Sequence, residues 1–127
     1  MQQDPQQDPL TGRVIGCAIE VHRALGPGLL ESTYQQCLAR ELALQEVRFK
    51  LEYPLPVEYK GVHLDCGYRI DILVEDQLIV ELKAVEEISG IHQAQLLTYL
   101  KLSGITTGLL INFNTKLLKD GITRLKV

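Results

Sequence analysis

The sequence predicts an α/β domain in which helices flank a mixed central β-sheet, and three observations predict it. Two segments with helical periodicity come first, and strand-like segments, one more helix and further strands follow them. The stretch 68–85, YRIDILVEDQLIVELKAV, alternates in the way that two strands of a hairpin do. The stretch 107–112, TGLLIN, is typical of a buried strand that runs parallel to its neighbour through a helical crossover.

Length and composition indicate one globular domain. The chain has 127 residues, of which 46% are hydrophobic and 23% charged, and this is enough chain to bury a core. The net charge of −3 excludes a broadly basic nucleic-acid-binding composition. Any contact with DNA or RNA would therefore need a local basic patch or a metal ion that offsets the repulsion.

The cysteines favour a reducing compartment. Cys17, Cys37 and Cys66 are odd in number, lie far apart and form no CxxC pair, which argues against a disulfide framework or a zinc site. No stretch reaches transmembrane length, and the N-terminus lacks the basic and apolar regions of a signal peptide. We therefore expect a cytoplasmic protein with no membrane partner.

The first ten residues are predicted to form a disordered tail, and residues 11–127 a single domain. Residues 2–9 repeat Gln-Gln-Asp-Pro, which is polar and broken by proline. Thr11 is the predicted N-cap of a first helix that ends near Leu25, before a Gly-Pro-Gly turn. His22 lies beside the apolar stripe of this helix, which favours a hydrogen-bonded packing residue over a catalyst.

A second helix is predicted over residues 30–45. Glu31 stands in its first turn, where a carboxylate complements the helix dipole, and it is also three residues before Tyr34, at the edge of the apolar stripe. Glu31 is thus either a dipole partner or an acid that reaches a site on the sheet. Glu41 falls near the centre of the stripe, and an ion pair with Arg23 would explain it.

Residues 47–59 are predicted to form two strands that are broken at Tyr53 and Pro54. Lys60 and Gly61 make a turn, and a third strand is predicted to begin near His63 and to continue into the central hairpin.

The register of the central hairpin follows from its apolar residues. Both apolar sets lie in one core only if Ile72 is opposite Val80, because a slip of one residue would turn one set to the wrong face. This register puts residues 75–77 in the turn. It also places Asp71 across from Glu81, with Lys83 two residues further along the same face.

This arrangement predicts a metal site. Adjacent carboxylates repel each other and raise each other's pKa unless a positive group lies between them. Carboxylate oxygens suit Mg²⁺ or Mn²⁺, and a lysine beside such an ion would orient a water molecule or stabilise charge on a phosphate. The alternative is a solvated face on which Asp71, Glu81 and Lys83 form a cross-strand ion pair.

The last third of the chain supplies one helix, one strand and a hairpin. The helix is predicted over residues 90–102, with Ser89 as its cap, and Gln95 and Tyr99 share one face. A final hairpin is predicted over residues 117–127, around Asp120 and Gly121. Four basic residues cluster near it and are explained either as a local basic patch or as a solubilising edge: Lys116, Lys119, Arg124 and Lys126.

Several motifs resemble known families. Asp71-x9-Glu81-x-Lys83 resembles the active site of the PD-(D/E)xK nuclease superfamily. The stretch 28–34, GLLESTY, matches the signature of the GxxExxY protein family, and further blocks (IEVHRALGPG, AQLLTYLKLSG, GLLINFN) extend the similarity over residues 14–127. This resemblance implies a restriction-endonuclease-like core. Gln95-x3-Tyr99 resembles the QxxxY element of RecB-type nucleases, where these groups help to bind nucleic acid.

The resemblance implies a metal-dependent nuclease that acts on nucleic acid with Mg²⁺ or Mn²⁺. Asp71, Glu81 and the carbonyl group of Leu82 would be metal ligands. The implied catalytic residues are Asp71, Glu81, Lys83 and Glu31, and the implied substrate-binding residues are Gln95 and Tyr99. The alternative is a non-catalytic interaction module that keeps the nuclease fold, which the small size and acidic balance favour. A homodimer stays open, because small nucleases usually bind DNA as dimers.

Overall fold

A five-stranded sheet organises the protein in the structure, a computed structural model that describes residues 8–127. The helices are α1 (Pro9–Leu25), α2 (Glu31–Leu44) and α3 (Gly90–Ser103). The strands are β1 (Phe49–Pro54), β2 (Val57–Tyr59), β3 (Val62–Leu64), β4 (Arg69–Val74), β5 (Leu78–Lys83), β6 (Thr107–Asn112) and β7 (Ile122–Lys126). The sheet order is β1-β4-β5-β6-β7, and β5 and β6 are parallel while the other pairs are antiparallel. The predicted α/β fold with a mixed sheet is confirmed.

Helices pack on both faces of this sheet, because its central strands bury side chains on both sides. Ile72 and Val80 belong to the apolar cluster that includes residues of α1 and α2. Leu73 and Ile79, one position along each strand, belong to the cluster around α3. The alternation of side chains along β4 and β5 therefore separates two cores.

The register of the central hairpin is confirmed. Ile72 pairs with Val80, and residues 75–77 form the turn. Glu75 and Asp76 adopt φ values of 52° and 54°, the left-handed conformation that a tight turn requires. The Gln77 N–H donates to the Val74 carbonyl at 2.9 Å and closes the turn.

The alternation of β4 breaks at Asp71. Ile70 packs in the α3 cluster and not on the face of Ile72, where strict alternation would put it. The regular pairing of β4 with β5 ends at Ile72, and on the other side Glu52 of β1, whose register places it opposite Asp71, has a φ of 50°. The end of the pairing with β5 and the positive φ on β1 both lie beside Asp71, where the change of face occurs.

The first helix begins earlier than predicted. Asp8, not Thr11, is its N-cap, because the Asp8 carboxylate accepts from the Leu10 N–H and the Thr11 hydroxyl, each at 3.1 Å. Pro9 stands in the first turn, where its fixed φ favours the helix and its missing N–H costs nothing. Residues 8–10 of the predicted tail thus belong to the cap and first turn of α1, and residues 1–7 lie outside the described residues.

The prediction that the third strand runs into the central hairpin is wrong. β2 and β3 form a separate two-stranded hairpin, with the predicted turn at Lys60 and Gly61. A second turn separates β3 from β4, since the Asp65 carboxylate accepts from the N–H of Gly67, whose φ is 82°.

The predicted last hairpin is also wrong. Residues Leu118–Gly121 form a 3-10 helix, and β7 after it pairs with β6. Leu118 is buried in the core with α1, which ties this segment down. A Cβ atom on Gly121 would lie 2.2 Å from the Asn112 carbonyl oxygen, so glycine allows the chain to pass there.

Two predictions on α1 have opposite outcomes. His22 is a hydrogen-bonded packing residue as predicted, because its Nε2 lies 2.7 Å from the Thr115 carbonyl oxygen and its side chain is buried. The predicted pair between Glu41 and Arg23 is wrong: Arg23 pairs with Glu20, three residues away on the same helix, at 3.5 Å.

The three cysteines are free thiols. No helix within residues 8–127 is long and apolar enough to cross a membrane.

Candidate active site

Asp71 and Glu81 fill the gap where β4 and β5 stop pairing. The Asp71 N–H donates to Oε2 of Glu81 at 2.8 Å, and the Leu82 N–H donates to Oδ2 of Asp71 at 2.9 Å. Each carboxylate thus takes the place of a main-chain carbonyl as acceptor for a ladder N–H that would otherwise be unpaired. The two acids are neighbours on adjacent strands as predicted.

Burial and like charge raise the pKa of both acids. Glu81 is only 4% exposed, and burial, followed by the charge of Asp71, raises its pKa to about 8. Burial also raises the pKa of Asp71, and the charges of Glu52 and Glu31 raise it further. The N–H groups that bond to the two carboxylates and the charge of Lys83 act in the opposite direction without cancelling the rise.

Lys83 stands at the end of β5 beside these acids. Its ammonium group has no ion pair within 4.0 Å among residues 8–127, although its charge lowers the pKa of both carboxyl groups. The Lys83 carbonyl accepts from the Phe113 N–H at 2.9 Å, which fixes the backbone. Within the described residues the structure therefore lacks an ion pair from Lys83 to either acid, including the cross-strand pair with Asp71 that the solvated-face alternative requires.

The N-terminus of α2 forms one wall of the site. Glu31 is its first residue, and Oε2 of Glu31 accepts from the Ala84 N–H at 3.3 Å, just after the end of β5. A cavity of about 260 Å³ joins Glu31 to Asp71, and its lining residues are Glu31, Ser32, Gln35, Glu52, Asp71 and Leu82. Glu31 thus lies at the site rather than on the far side of the domain.

Glu52 and Gln35 belong to this wall, and neither was predicted from the sequence. The buried Gln35 Nε2 donates to Oε2 of Glu52 at 2.7 Å and to the Asp71 carbonyl at 3.0 Å. The spacing of Gln35, four residues after Glu31 on one helix, is the signal that could have found it. Glu52 carries no such signal, because its position depends on the pairing of β1 with β4 and on its left-handed φ.

Helix α3 packs on the other face of the sheet from α2 and carries the predicted pair Gln95 and Tyr99. The Gln95 amide donates to the Tyr99 hydroxyl at 3.2 Å, as the shared helix face implies. Tyr99 is buried, and its pKa is raised first by burial and then by the charge of Glu81. The ring of Tyr68 meets the ring of Tyr99 edge-on at 5.9 Å. Tyr99 therefore lies within electrostatic reach of the carboxylates.

The oxygen donors at the gap fit a hard cation. The Leu82 N–H points to Asp71, and in a strand the carbonyl of the same residue points to the same edge, so the Leu82 carbonyl also faces the gap. No group of three or more His, Cys, Asp or Glu side chains in residues 8–127 could hold a metal by itself. Two carboxylates, one carbonyl and water molecules are a donor set that suits Mg²⁺, which keeps several waters when protein-bound.

Comparison with known families decides the assignment. The family model of the PD-(D/E)XK nuclease superfamily matches residues 8–125. The chain belongs to the PD-(D/E)XK nuclease superfamily. No curated protein and no solved structure matches it. The superfamily match confirms the predicted restriction-endonuclease-like fold and indicates a nuclease-type function. The narrower GxxExxY assignment stays a resemblance, and the roles of the individual site residues stay predictions.

A basic cleft lies in this PD-(D/E)XK domain between the end of α1 and the segment after β6. Its volume is about 440 Å³, and its lining includes Arg23, Lys116 and Lys119 but no acidic residue. The segment that begins at Phe113 connects this cleft to the carboxylate site. The Phe113 N–H donates to the Lys83 carbonyl, and two residues later the Thr115 carbonyl bonds to His22, which lines the cleft. The other two residues of the predicted basic cluster are elsewhere, on β7: Arg124 and Lys126.

Proposed function

We propose that the protein is a metal-dependent nuclease that hydrolyses phosphodiester bonds in nucleic acid. The observation that carries this proposal is the pair of adjacent carboxyl groups, Asp71 and Glu81, both with raised pKa and both under the influence of Lys83, which forms no ion pair within residues 8–127. A divalent cation would relieve the repulsion that raises these pKa values. Membership of the superfamily supports the same reaction class.

Asp71, Glu81 and the Leu82 carbonyl are the proposed ligands of Mg²⁺ or Mn²⁺. A bound ion of this kind polarises a phosphate oxygen and lowers the pKa of a coordinated water molecule. The hydrogen bonds from the Asp71 and Leu82 N–H groups occupy one oxygen of each carboxylate and leave the other available for the ion. These two hydrogen bonds would therefore fix the positions of both carboxylates before the ion binds.

Three side chains would act on the substrate directly. The Lys83 ammonium would orient the attacking water or stabilise negative charge on the phosphate. Tyr99 has a raised pKa, so its hydroxyl stays protonated at neutral pH, and since that hydroxyl accepts from Gln95 its own proton is available to a substrate oxygen. Gln95 and Tyr99 would therefore position the substrate.

Glu31 and the basic cleft would act at a greater distance. Glu31 contacts the Ala84 N–H and lines the cavity beside Asp71, so we assign it the role of an acid in the outer shell of the ion. The cleft lined by Arg23, Lys116 and Lys119 provides the local positive charge that the overall composition lacks, and it would hold phosphates that flank the cleaved bond. The free cysteines fit the reducing cytoplasm that we propose as its location.

Cleavage assays with amide variants test the proposal. Wild type should cut labelled DNA or RNA with Mg²⁺ or Mn²⁺ and not in EDTA. Asp71→Asn and Glu81→Gln keep the acceptors for the N–H groups but lose the charges, and each should lose activity about a hundredfold or more. Glu46→Gln makes the same change at an exposed acid and should keep full activity. Equal activity in all four proteins, or activity in EDTA, would contradict the proposal.

A non-catalytic interaction module is the second candidate. It is favoured by the observation that no group of three metal-ligating side chains is formed within residues 8–127. In that case Glu81 would stay protonated at neutral pH, and neither ion would bind to the protein.

A further inference from the structure

Four of the five tyrosines lie on β1, on β2, just before β4 and on α3. They are Tyr53, Tyr59, Tyr68 and Tyr99. The three that precede α3 are exposed by 38%, 59% and 41% respectively. The fifth, Tyr34, is fully buried in the core and stacks on Phe113 at 4.3 Å. The exposed rings are therefore not required to fill the core.

Three of these rings lie on the α3 face of the sheet. Tyr53 pairs with Ile70 across β1 and β4, and cross-strand partners point to the same face. Ile70 packs in the cluster that contains Tyr99, so Tyr53 also points to that face. Tyr68 meets Tyr99 edge-on at 5.9 Å. Tyr99 packs in one cluster with Ile79 of β5, two residues before Glu81, so the rings reach the strand that carries this carboxylate.

Tyr59 extends this surface beyond the sheet. The β2–β3 hairpin leaves the sheet after β1 and returns before β4, at the end where the antiparallel β5 finishes at Lys83. All three residues of β3 are exposed, so the hairpin projects into solvent. Tyr59 therefore stands on an exposed arm that leaves the sheet at this end.

A basic side chain lies beside each exposed tyrosine, over the ring for Tyr53 and Tyr59 and at the main chain for Tyr68. The Lys60 ammonium lies 5.3 Å from the centre of the Tyr59 ring, and the Lys50 ammonium lies 5.2 Å from that of Tyr53. Next to Tyr68, Arg69 donates to the Tyr68 carbonyl at 2.9 Å. Lys50 and Arg69 also contact exposed aspartates, and such exposed pairs are weak enough to exchange for a phosphate.

We infer that these tyrosines form a stacking surface for single-stranded nucleic acid, which guides one strand into the Asp71–Glu81 site. Bases would stack on Tyr53, Tyr59 and Tyr68, and the adjacent cations would contact the phosphates. Aromatic rings spaced along a positively charged path bind single strands without reading sequence. Bases in a duplex already stack on each other and offer these rings no free face. The inference deepens the proposed nuclease function, on which it rests, by naming its substrate class.

Binding without catalysis tests this inference. Fluorescein-labelled oligo(dT) of about 12 nucleotides, free or annealed to oligo(dA), is titrated with the full chain in EDTA and followed by anisotropy. Wild type should bind the single strand at least about tenfold more tightly than the duplex. Tyr59→Ala and Tyr68→Ala should each weaken single-strand binding by about tenfold. Tyr59→Phe and Tyr68→Phe keep the ring and should bind like wild type.

Two further readouts separate stacking from a general loss of structure. Leu44→Ala removes an equally exposed apolar side chain at the end of α2 and should leave binding unchanged. The chain has no tryptophan, so its intrinsic fluorescence comes from tyrosine, and oligo(dT) should quench that emission in wild type more strongly than in the alanine variants.

The outcomes distinguish this inference from the nuclease proposal. Equal affinity for single strand and duplex, with alanine variants that bind like wild type, would overturn the stacking surface even if Mg²⁺-dependent cleavage is observed. Selective, tyrosine-dependent binding of the single strand with no cleavage in any divalent ion would support the surface and contradict the nuclease proposal.

Discussion

At the scale of single residues, the surroundings of Glu81 disfavour the charged form of its carboxyl group. The residue is 4% exposed, its carboxyl group lies next to Asp71, and its pKa is raised to about 8. Ionising such a group in the folded protein costs free energy that the unfolded chain does not have to supply. A residue that destabilises the isolated fold in this way is expected at a functional position rather than in a structural core.

The raised pKa predicts how stability depends on pH. The folded protein holds the Glu81 proton more tightly than the unfolded chain, whose Glu81 titrates near 4.5, so the free energy of unfolding falls as pH rises from about 4.5 to about 8. Each unit of pKa shift is worth about 1.4 kcal/mol, and the loss should amount to a few kcal/mol. Asp71, whose pKa is also raised, adds to it in the same direction.

Urea denaturation in EDTA from about pH 5 to about pH 9 measures this effect. Glu81→Gln cannot ionise and still offers an oxygen to the Asp71 N–H, so its stability should fall much less over this range. Parallel pH profiles of wild type and Glu81→Gln would contradict the assignment.

Glu52 is predicted to tune the two acids from the neighbouring strand. Its charge raises the pKa of Asp71 and of Glu81. Glu52→Gln should therefore stabilise the metal-free protein near pH 8 and weaken Mg²⁺ binding by about two- to tenfold. Isothermal titration calorimetry measures the affinity, and Glu46→Gln, an exposed acid at the end of α2, is the control that should change nothing. Unchanged affinity in Glu52→Gln would show that Glu52 has no influence on the ion.

At the scale of elements, the central hairpin was predictable because two apolar sets fix its register. The change of face at Ile70 was not, since it accompanies a positive φ at Glu52 on another strand. The last hairpin was misassigned for a similar reason: Asp120 and Gly121 are typical of a tight turn, but β7 pairs with β6 and not with residues just before the turn.

Gly121 provides a test of the element that closes the sheet. Gly121→Ala would bring a Cβ atom to 2.2 Å from the Asn112 carbonyl oxygen, and we expect a loss of about 2 kcal/mol or more in the free energy of unfolding. Asn112 pairs with Lys83 and holds Val85 through both atoms of its amide, so the strain would also reach the active site.

Gly16→Ala is the matched control for this change. Nothing lies within 4 Å of a Cβ atom at Gly16, which is exposed on α1, so this substitution should stabilise the protein by about 0.5–1 kcal/mol. Denaturant titration of both variants would show opposite signs. A Gly121→Ala variant as stable as wild type would mean that the backbone at Asn112 moves to make room for the Cβ atom.

At the scale of the whole molecule, charge is distributed unevenly. The net charge is −3, yet Lys116, Lys119 and Arg23 line one cleft without an acidic neighbour in its lining. The tyrosine surface lies on the α3 face of the sheet, whereas the basic cleft lies against α1, which packs on the other face. A strand of nucleic acid that crosses the site could therefore meet positive charge on one flank and aromatic rings on the other.

Salt dependence tests the cleft. The double variant Lys116→Gln/Lys119→Gln should weaken binding of oligo(dT), and the slope of log K against log salt should fall by about 0.7 for each phosphate that the variant no longer neutralises. Lys101→Gln, at an exposed position in the last turn of α3, should leave the slope unchanged. An unchanged slope in the double variant would remove the cleft from the binding path.

Much of the candidate site was predictable from local spacing alone. Asp71, Glu81 and Lys83 follow from one hairpin, and Gln95 and Tyr99 from one helix face; the structure puts the two carboxylates in contact and Gln95 in contact with Tyr99. Two parts were not predictable: the wall of Gln35 and Glu52 depends on how β1 pairs with β4, and the basic cleft depends on how the segment after β6 packs on α1. Contacts between distant segments leave no periodic signal in the sequence.

The most direct measurement of the central claim is the melting temperature with and without a divalent ion. An ion that binds only the folded state at a hundred times its Kd adds about 2.7 kcal/mol, which raises the melting temperature by several degrees. Wild type should show this rise with Mg²⁺ or Mn²⁺, while Asp71→Asn and Glu81→Gln should melt at the same temperature with and without the ion. A wild type that ignores both ions, or amide variants that gain as much as wild type, would contradict a metal site at Asp71 and Glu81.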